Sequence, residues 1–332
     1  MNASRTWVSV CLVIGLLECT VSAVNIETVP VGNVGNAGEV QSQGTFGAVN
    51  YTYNIGKFEV TAGQYTEFLN AVAKTDTYAL YSTYMWSSTR GCKIQQSGSS
   101  GNYTYSVASD YANRPVNYVS WGDSARFANW LHNGQPTGAQ GLTTTEDGAY
   151  YLNGATSDAA LLAVNRETDW KWAITSEDEW YKAAYHKNDG VTGNYWDYPT
   201  SSDTVPGRDL DDVSGNNANY YGTPYPIQSP YYTTIAGEFQ NSESPYDTFD
   251  QGGNVWEWNE AILNGTTRGL RGGSSYGEVN GLLASYRSAD VPTFEVFTLG
   301  FRVSAIPEPS TAVLVLMGGG ACLLLRRRKV TL

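Results

Sequence analysis

Residues 248–259 read Thr-Phe-Asp-Gln-Gly-Gly-Asn-Val-Trp-Glu-Trp-Asn, and no other run constrains the fold as much. The adjacent Gly252 and Gly253 open backbone conformations closed to other residues. Trp256 and Trp258 stand two apart, so in an extended segment they share one face, opposite Val255 and Glu257. Two further glycine-marked segments follow: Leu-Arg-Gly-Gly-Ser at 270–274 and Leu-Gly-Phe-Arg-Val at 299–303.

The length of 332 residues allows one large domain or two smaller ones. With 24 Tyr, 10 Trp and 35 Gly, the composition predicts a loop-rich fold around an aromatic core. The net charge of −12 repels phosphate backbones and argues against nucleic acid. It suits divalent cations, and equally the solubility of an exported protein. Of the cysteines, Cys11, Cys19 and Cys322 lie in apolar end segments, which leaves Cys92 alone in the body. An intramolecular disulfide is therefore impossible in the mature domain, and Cys92 reads as a small buried hydrophobe.

Residues 1–23 read as a secretory signal peptide: Arg5, an apolar run from Trp7 to Leu17, and Val21-Ser22-Ala23 as a cleavage site. Residues 24–47 read as a linker or first edge strand. Alternation of Val49, Tyr51, Tyr53 and Ile55 predicts a strand over 48–60. Thr61 and Gln64 have capping-box spacing, and Tyr65, Phe68, Leu69 and Val72 then mark one helix face. Residues 75–112 show no period and predict long loops. Residues 113–119 predict a short strand running into a helix capped by Ser120, with Phe127, Trp130 and Leu131 on its buried side. An irregular insertion follows at 135–168, with a small hairpin near 149–152. Residues 170–174 predict a strand. Ser176-Glu177-Asp178-Glu179 predicts a helix cap rather than an acidic site. Residues 188–247 predict a long coil, and 267–273 and 298–304 the closing strands.

After Ala305, the segment Ile-Pro-Glu-Pro-Ser at 306–310 precedes an apolar run from Thr311 to Leu325 and a basic end, Arg326 to Lys329. This resembles the PEP-CTERM sorting tail of Gram-negative bacteria. The resemblance implies a sorting signal at 305–332, with processing by an exosortase-type protease. It also implies export with transient inner-membrane anchoring through the C-terminal helix, then an outer-surface or extracellular location.

The glycine-marked trio itself resembles the formylglycine-generating enzyme, or sulfatase-modifying factor, family. There a Gly-Asn-Val-Trp-Glu-Trp core is followed by Arg-Gly-Gly-Ser and later Gly-Phe-Arg. The resemblance covers 48–304 and implies an α+β, C-type-lectin-like fold with a small twisted sheet, few helices and much irregular loop. Active members bind copper(I) through two cysteines about five residues apart, soon after Gly-Gly-Ser; soft thiolates suit that ion. Residues 273–282 contain no cysteine, so no copper site and no catalytic residue are expected. The resemblance also implies a structural Ca²⁺ held by the side chains of Asp250 and Glu257 and the carbonyls of Gly253 and Val255, hard oxygen donors. A second calcium site maps weakly onto Asn219 and Tyr220, because its aspartate partner has no match. His132 and His186 lack metal-ligand spacing and read as surface or capping residues. The sequence thus points to an exported, surface- or matrix-associated protein, non-catalytic, that binds an exopolysaccharide or another surface ligand or plays a structural role. The alternative is an enzyme of the same fold acting through a different site.

Overall fold

The computed structural model describes residues 23–307. The cleavage-site upstream region (1–22) and the tail's apolar run and basic end lie outside the described residues. In chain order the strands and helices are β1 (Thr28–Val31), β2 (Glu39–Gln41), β3 (Gly44–Phe46), β4 (Tyr53–Gly56), α1 (Ala62–Val72), α2 (Tyr84–Ser87), β5 (Ile94–Ser97), β6 (Thr104–Val107), α3 (Trp121–His132), α4 (Asp158–Leu162), β7 (Trp172–Ile174), α5 (Glu177–Tyr185), β8 (Trp256–Leu263), β9 (Thr267–Arg271), β10 (Ser288–Asp290), β11 (Leu299–Gly300) and β12 (Val303–Ala305). One sheet has the order β1-β4-β12-β7, a second β10-β9-β8-β11, and β2/β3 and β5/β6 form separate hairpins.

Local sequence explains the helices. Thr61 Oγ1 accepts from the Gln64 amide at 3.2 Å, and Gln64 Oε1 accepts from the Thr61 amide at 2.9 Å. These reciprocal bonds satisfy amides that a helix start leaves orphaned. Ser120 with Asp123 and Ser176 with Glu179 build the same box at α3 and α5. Tyr65, Phe68, Leu69 and Val72 of α1 are all buried. Helix α3 is central and buried from Trp121 to Leu131. Phe127 packs 6.0 Å from Tyr65, 5.3 Å from Phe68 and 5.3 Å from Phe301 between ring centroids. One aromatic cluster therefore ties both long helices to the last glycine-marked segment.

Of the two readings for 24–47, the edge strand is the one found: Thr28–Val31 pairs antiparallel with β4 at the edge of the sheet. Other expectations change. The alternation over 48–60 yields only four paired residues, with Tyr53 and Ile55 buried and Tyr51 turned outward. Residues 113–119 form no strand; Pro115 makes a single bridge to Thr61. Pro115 has no amide to donate, and the Asn117 side chain takes the ladder's place, accepting from Cys92 N and donating to the carbonyls of Arg90 and Phe297. Residues 75–112 hold α2 and the β5/β6 hairpin rather than loops alone, and 135–168 holds α4, with Tyr150 meeting Arg166 at a lone bridge where a hairpin was expected. Of the two readings for His186, capping stands: it is the C-cap of α5, its amide donating to the Lys182 carbonyl. It is buried rather than on the surface, with Nδ1 2.8 Å from the Tyr246 hydroxyl.

Cys92 sits in the main core, and burial pushes its thiol up to about 11. Near the start of α3, burial first and then the charges of Asp123 and Asp76 push Glu295 from 4.5 up to about 8. A carboxyl whose folded pKa is raised contributes stability fully present below its unfolded pKa and lost as pH rises through the folded one. The domain should therefore lose stability between pH 4.5 and about 8 on account of Glu295. Glu295→Gln should flatten that slope in thermal melts taken across the window; an unchanged slope would remove Glu295 as its source.

Candidate functional site

The tryptophan-core loop is buried on both faces. Trp258 is fully enclosed, its indole nitrogen donating to the Val119 carbonyl at 3.0 Å. Glu257 accepts from Arg302 Nε at 2.6 Å and Nη2 at 2.7 Å, and from the Trp180 indole at 2.6 Å. Arg302 in turn donates to the carbonyls of Gly56 at 2.8 Å and Phe249 at 2.9 Å. One fork thus joins β4, the loop and β8. Gly253 has φ +96°, and a Cβ there would stand 2.1 Å from the Asn219 carbonyl oxygen. Only glycine fits so close an approach.

Asn254 is the loop's polar hub. Its Oδ1 accepts from the Thr234 amide and hydroxyl at 3.0 Å each and from Asn219 Nδ2 at 2.8 Å. Its own amide donates to the Asn219 carbonyl at 2.9 Å. Asp250 Oδ2 accepts from the Gly237 amide at 2.7 Å. A residue absent from the sequence reading joins them: Glu59, buried, whose oxygens face Asn254 Nδ2 at 3.3 Å and Val255 N at 3.4 Å. Its signal was an acid between Phe58 and Val60 just ahead of a helix cap. Burial chiefly, then Asp250 and Glu257, raises the Glu59 carboxyl well above its usual range. Burial likewise raises Asp250 to about 6.

Asp250 and Glu257 have separate partners on this loop, the Gly237 amide for Asp250 and Arg302 with Trp180 for Glu257, and Asn219 bonds to Asn254 between them. Only Glu257 pairs with Arg302, and among the described residues no three acids, cysteines or histidines are grouped as a metal cluster. Glu59 and Asp250 feel the Arg302 charge without contacting it, so acids outnumber the one cation when ionised. Asn219 Oδ1 is buried without a hydrogen-bond partner. Hard oxygens, surplus negative charge and an orphaned amide oxygen suit Ca²⁺. Glu257 already gives three acceptor positions to Arg302 and Trp180, which places more of any ion's ligation on Asp250, the carbonyls of Gly253 and Val255, and the neighbouring amides. Tyr220 contributes no side-chain oxygen to the loop; its hydroxyl donates to the Pro206 carbonyl at 2.7 Å.

The sequence profile of the sulfatase-modifying factor enzyme 1-like domain matches residues 28–305. The chain belongs to that family. The PEP-CTERM protein-sorting motif matches residues 305–329, which implies export, a membrane-anchored sorting signal and exosortase-type processing. Among curated proteins no sequence matches. Among solved structures, the fold is similar to Treponema denticola variable protein 1, at 18% identity and a TM-score of 0.54, covering 87% of this chain and 98% of that one. It is also similar to CarF, at 18% identity and a TM-score of 0.50, covering 86% and 99%. Both likenesses concern the fold.

The segment that follows Gly272 and Gly273 begins Ser274, Ser275 and Tyr276. The serines are buried and Tyr276 is 53% exposed. Tyr276 begins a continuous aromatic surface: Phe297 at 5.4 Å, Tyr221 at 6.3 Å, Tyr225 at 5.3 Å from Tyr221, and Tyr232 at 5.8 Å from Tyr225. Tyr118 and Tyr84 stack at 5.6 Å along its edge, joined to it through Ser88, whose hydroxyl meets the Tyr118 hydroxyl and the Arg90 amide. A separate cleft of about 710 Å³ runs between residues 23–27 and α1, away from these rings.

Removing the Glu257 charge would leave Arg302 buried and unpaired. Glu257→Gln should cost about 3–5 kcal/mol, the range for breaking one half of a buried pair. Urea unfolding of both proteins measures it; a loss under about 1 kcal/mol would deny the pair its structural role.

Proposed function

We propose that the domain is an exported, non-catalytic binding module that captures a glycan of the cell surface or extracellular matrix on its tyrosine-rich face. The observation that carries this is the open aromatic surface, with Tyr276 at 53%, Tyr221 at 42% and Tyr84 at 61% exposure. Aromatic side chains with a polar tip combine a flat apolar face with a hydrogen-bonding edge. Sugars present the complementary surface, C–H faces ringed by hydroxyls. A contiguous exposed apolar patch on a soluble domain marks an interaction site. The sorting tail supports delivery to a Gram-negative outer surface or matrix, where such polymers lie.

The reading also has a negative side. Among the described residues the one thiol, Cys92, is buried, bonded through Sγ to the Asn117 carbonyl at 3.8 Å, and raised in pKa, all of which disfavour a reactive thiolate. A sulfatase-type cysteine peptide incubated with the pure protein, copper(I), oxygen and reductant should keep its thiol mass. Appearance of the aldehyde would move the protein among the enzymes of the fold.

Glycan capture is tested on an array of surface and matrix polysaccharides with the wild type and with Tyr276→Ala and Tyr221→Ala. Each variant should weaken binding at least about tenfold, or ~1.4 kcal/mol, without changing the melting temperature. Binding by the wild type that both variants retain would place the ligand elsewhere.

We further infer that the tryptophan-core loop takes one Ca²⁺ at Asp250, Gly253, Val255 and Glu257, with Glu59 and Asn219 close by. The ion would neutralise buried carboxylates and fasten the loop that supports Asn219 and, through it, the segment bearing Tyr232. Calcium at a hundredfold above its dissociation constant should stabilise the domain by about 2.7 kcal/mol. Melts with calcium and with chelator measure this, and indifference to both after exhaustive dialysis would exclude the site.

A further inference from the structure

The aromatic face encloses a single guanidinium. The Arg90 Cζ lies 4.1 Å from the Tyr232 ring centroid, 4.7 Å from Tyr276, 5.1 Å from Phe297 and 5.7 Å from Tyr225. Other buried arginines of this protein use their N–H groups on backbone. Arg268 donates to the carbonyls of Glu260, Leu161 and Val164 at 2.6–2.7 Å. Arg114 donates to those of Asp110 and Thr233. Arg90 is different. Among the described residues no carboxylate lies in salt-bridge range of it, and its Nη1 is buried with no hydrogen-bond partner. Rings cover its faces, which holds the fork in place, while its donors go unused. A buried donor without an acceptor carries a standing desolvation cost that a ligand acceptor would relieve.

A second cation stands at the same edge. Lys93 Nζ donates to the carbonyls of Trp86 and Ser88, again without a carboxylate partner among the described residues. Ser88 links the two cations, its hydroxyl accepting from the Arg90 amide and its carbonyl from Lys93 Nζ. The long-range field opposes any anion, but contact selectivity is set by the groups that touch. A planar fork matches a carboxylate bidentately, and with Nη1 buried the edge left for one is that of Nε and Nη2. The exposed ring of Tyr276 lies 4.7 Å from it, and that of Tyr221 lies 6.3 Å beyond Tyr276.

We propose that this face selects a carboxylate-bearing glycan of the uronic-acid class, and that Arg90 is the specificity-determining residue, its guanidinium pairing the sugar carboxylate while Tyr276 stacks on the ring. The proposal rests on the glycan-binding reading above and sharpens it. Phosphate polymers are set aside because they carry no stacking sugar face at the charged group and meet the repulsive field along their whole length.

The test uses the mature domain with three probes: oligogalacturonate, neutral oligogalactose of equal length, and inorganic polyphosphate. Isothermal titration should show oligogalacturonate binding at least about tenfold tighter than oligogalactose, ~1.4 kcal/mol. Arg90→Gln should abolish that preference, bringing the ratio of the two affinities to about one. Arg90→Lys, which keeps the charge and loses the fork, should fall between, and it keeps the test open should Arg90→Gln fold poorly. Equal affinity for both sugars, an acid preference that survives both substitutions, or tighter binding of polyphosphate overturns the proposal. Neutral-sugar binding without acid preference leaves the glycan reading standing; binding of neither sugar removes both.

Discussion

The Arg302–Glu257 pair is the contact on which the tryptophan-core loop depends. Burying two charges costs several kcal/mol each in desolvation, which their attraction alone scarcely offsets. What makes the pair worth having is the rest of the fork. Arg302 also satisfies the carbonyls of Gly56 and Phe249, and Glu257 also satisfies the Trp180 indole. The guanidinium thus replaces hydrogen bonds that no strand is there to make. Between α5 and β8 the chain runs for some seventy residues without a helix or strand of its own. Such a coil can be packed inside a fold only if its polar backbone finds partners.

The same solution recurs. Arg271 and Arg287 converge on Glu177, and Arg271 also holds the carbonyls of Ala284 and Tyr286. Arg166 bridges Glu179 and Glu260 while donating to the Ile174 carbonyl. Arg126 pairs with Glu146 and reaches the Ala155 carbonyl. Asn129 spans the Thr145 and Tyr150 carbonyls. Helix α5 is central to this pattern. Its opening acids cap the helix and, in addition, bind arginines from β9 and from the segments around it. Asp178 accepts the Gly47 amide at 2.9 Å. Reading those acids as a cap captured their local role and missed their tertiary one, because cap geometry is written within four residues and the arginines come from far along the chain.

That contrast marks how far the sequence could be read. Helices α1, α3 and α5 were legible because period, cap and buried stripe all lie within a dozen residues. Strand β9 was legible within 267–273, whereas β8 was read only as an extended pair of tryptophans, and the trio of glycine-marked segments pointed to the fold. Hairpin β5/β6 and helix α4 were not, since their residues carry no apolar period and gain their shape from neighbours distant in sequence. Glu257's commitment to Arg302, forty-five residues on, could not be foreseen from spacing. Arg90 was the least visible of all. It sits in a Gly/Ser-rich stretch, and its ring neighbours come from positions 225–297, so only the folded chain brings cation and cage together.

The loop and the aromatic face are mechanically one unit. Asn254 fastens Asn219 and Thr234, and Asn219 fastens the Tyr232 carbonyl at 3.0 Å, so the ring that approaches Arg90 most closely hangs from the tryptophan-core loop. That rigidity holds a ring 4.1 Å from the guanidinium through two hydrogen bonds of the Asn219 side-chain amide, to Tyr232 and to Asn254. Surfaces whose groups are ordered beforehand lose less freedom when anything settles on them. The buried ion pair at Arg302 and Glu257 thus reaches, through the loop, as far as the tyrosine face.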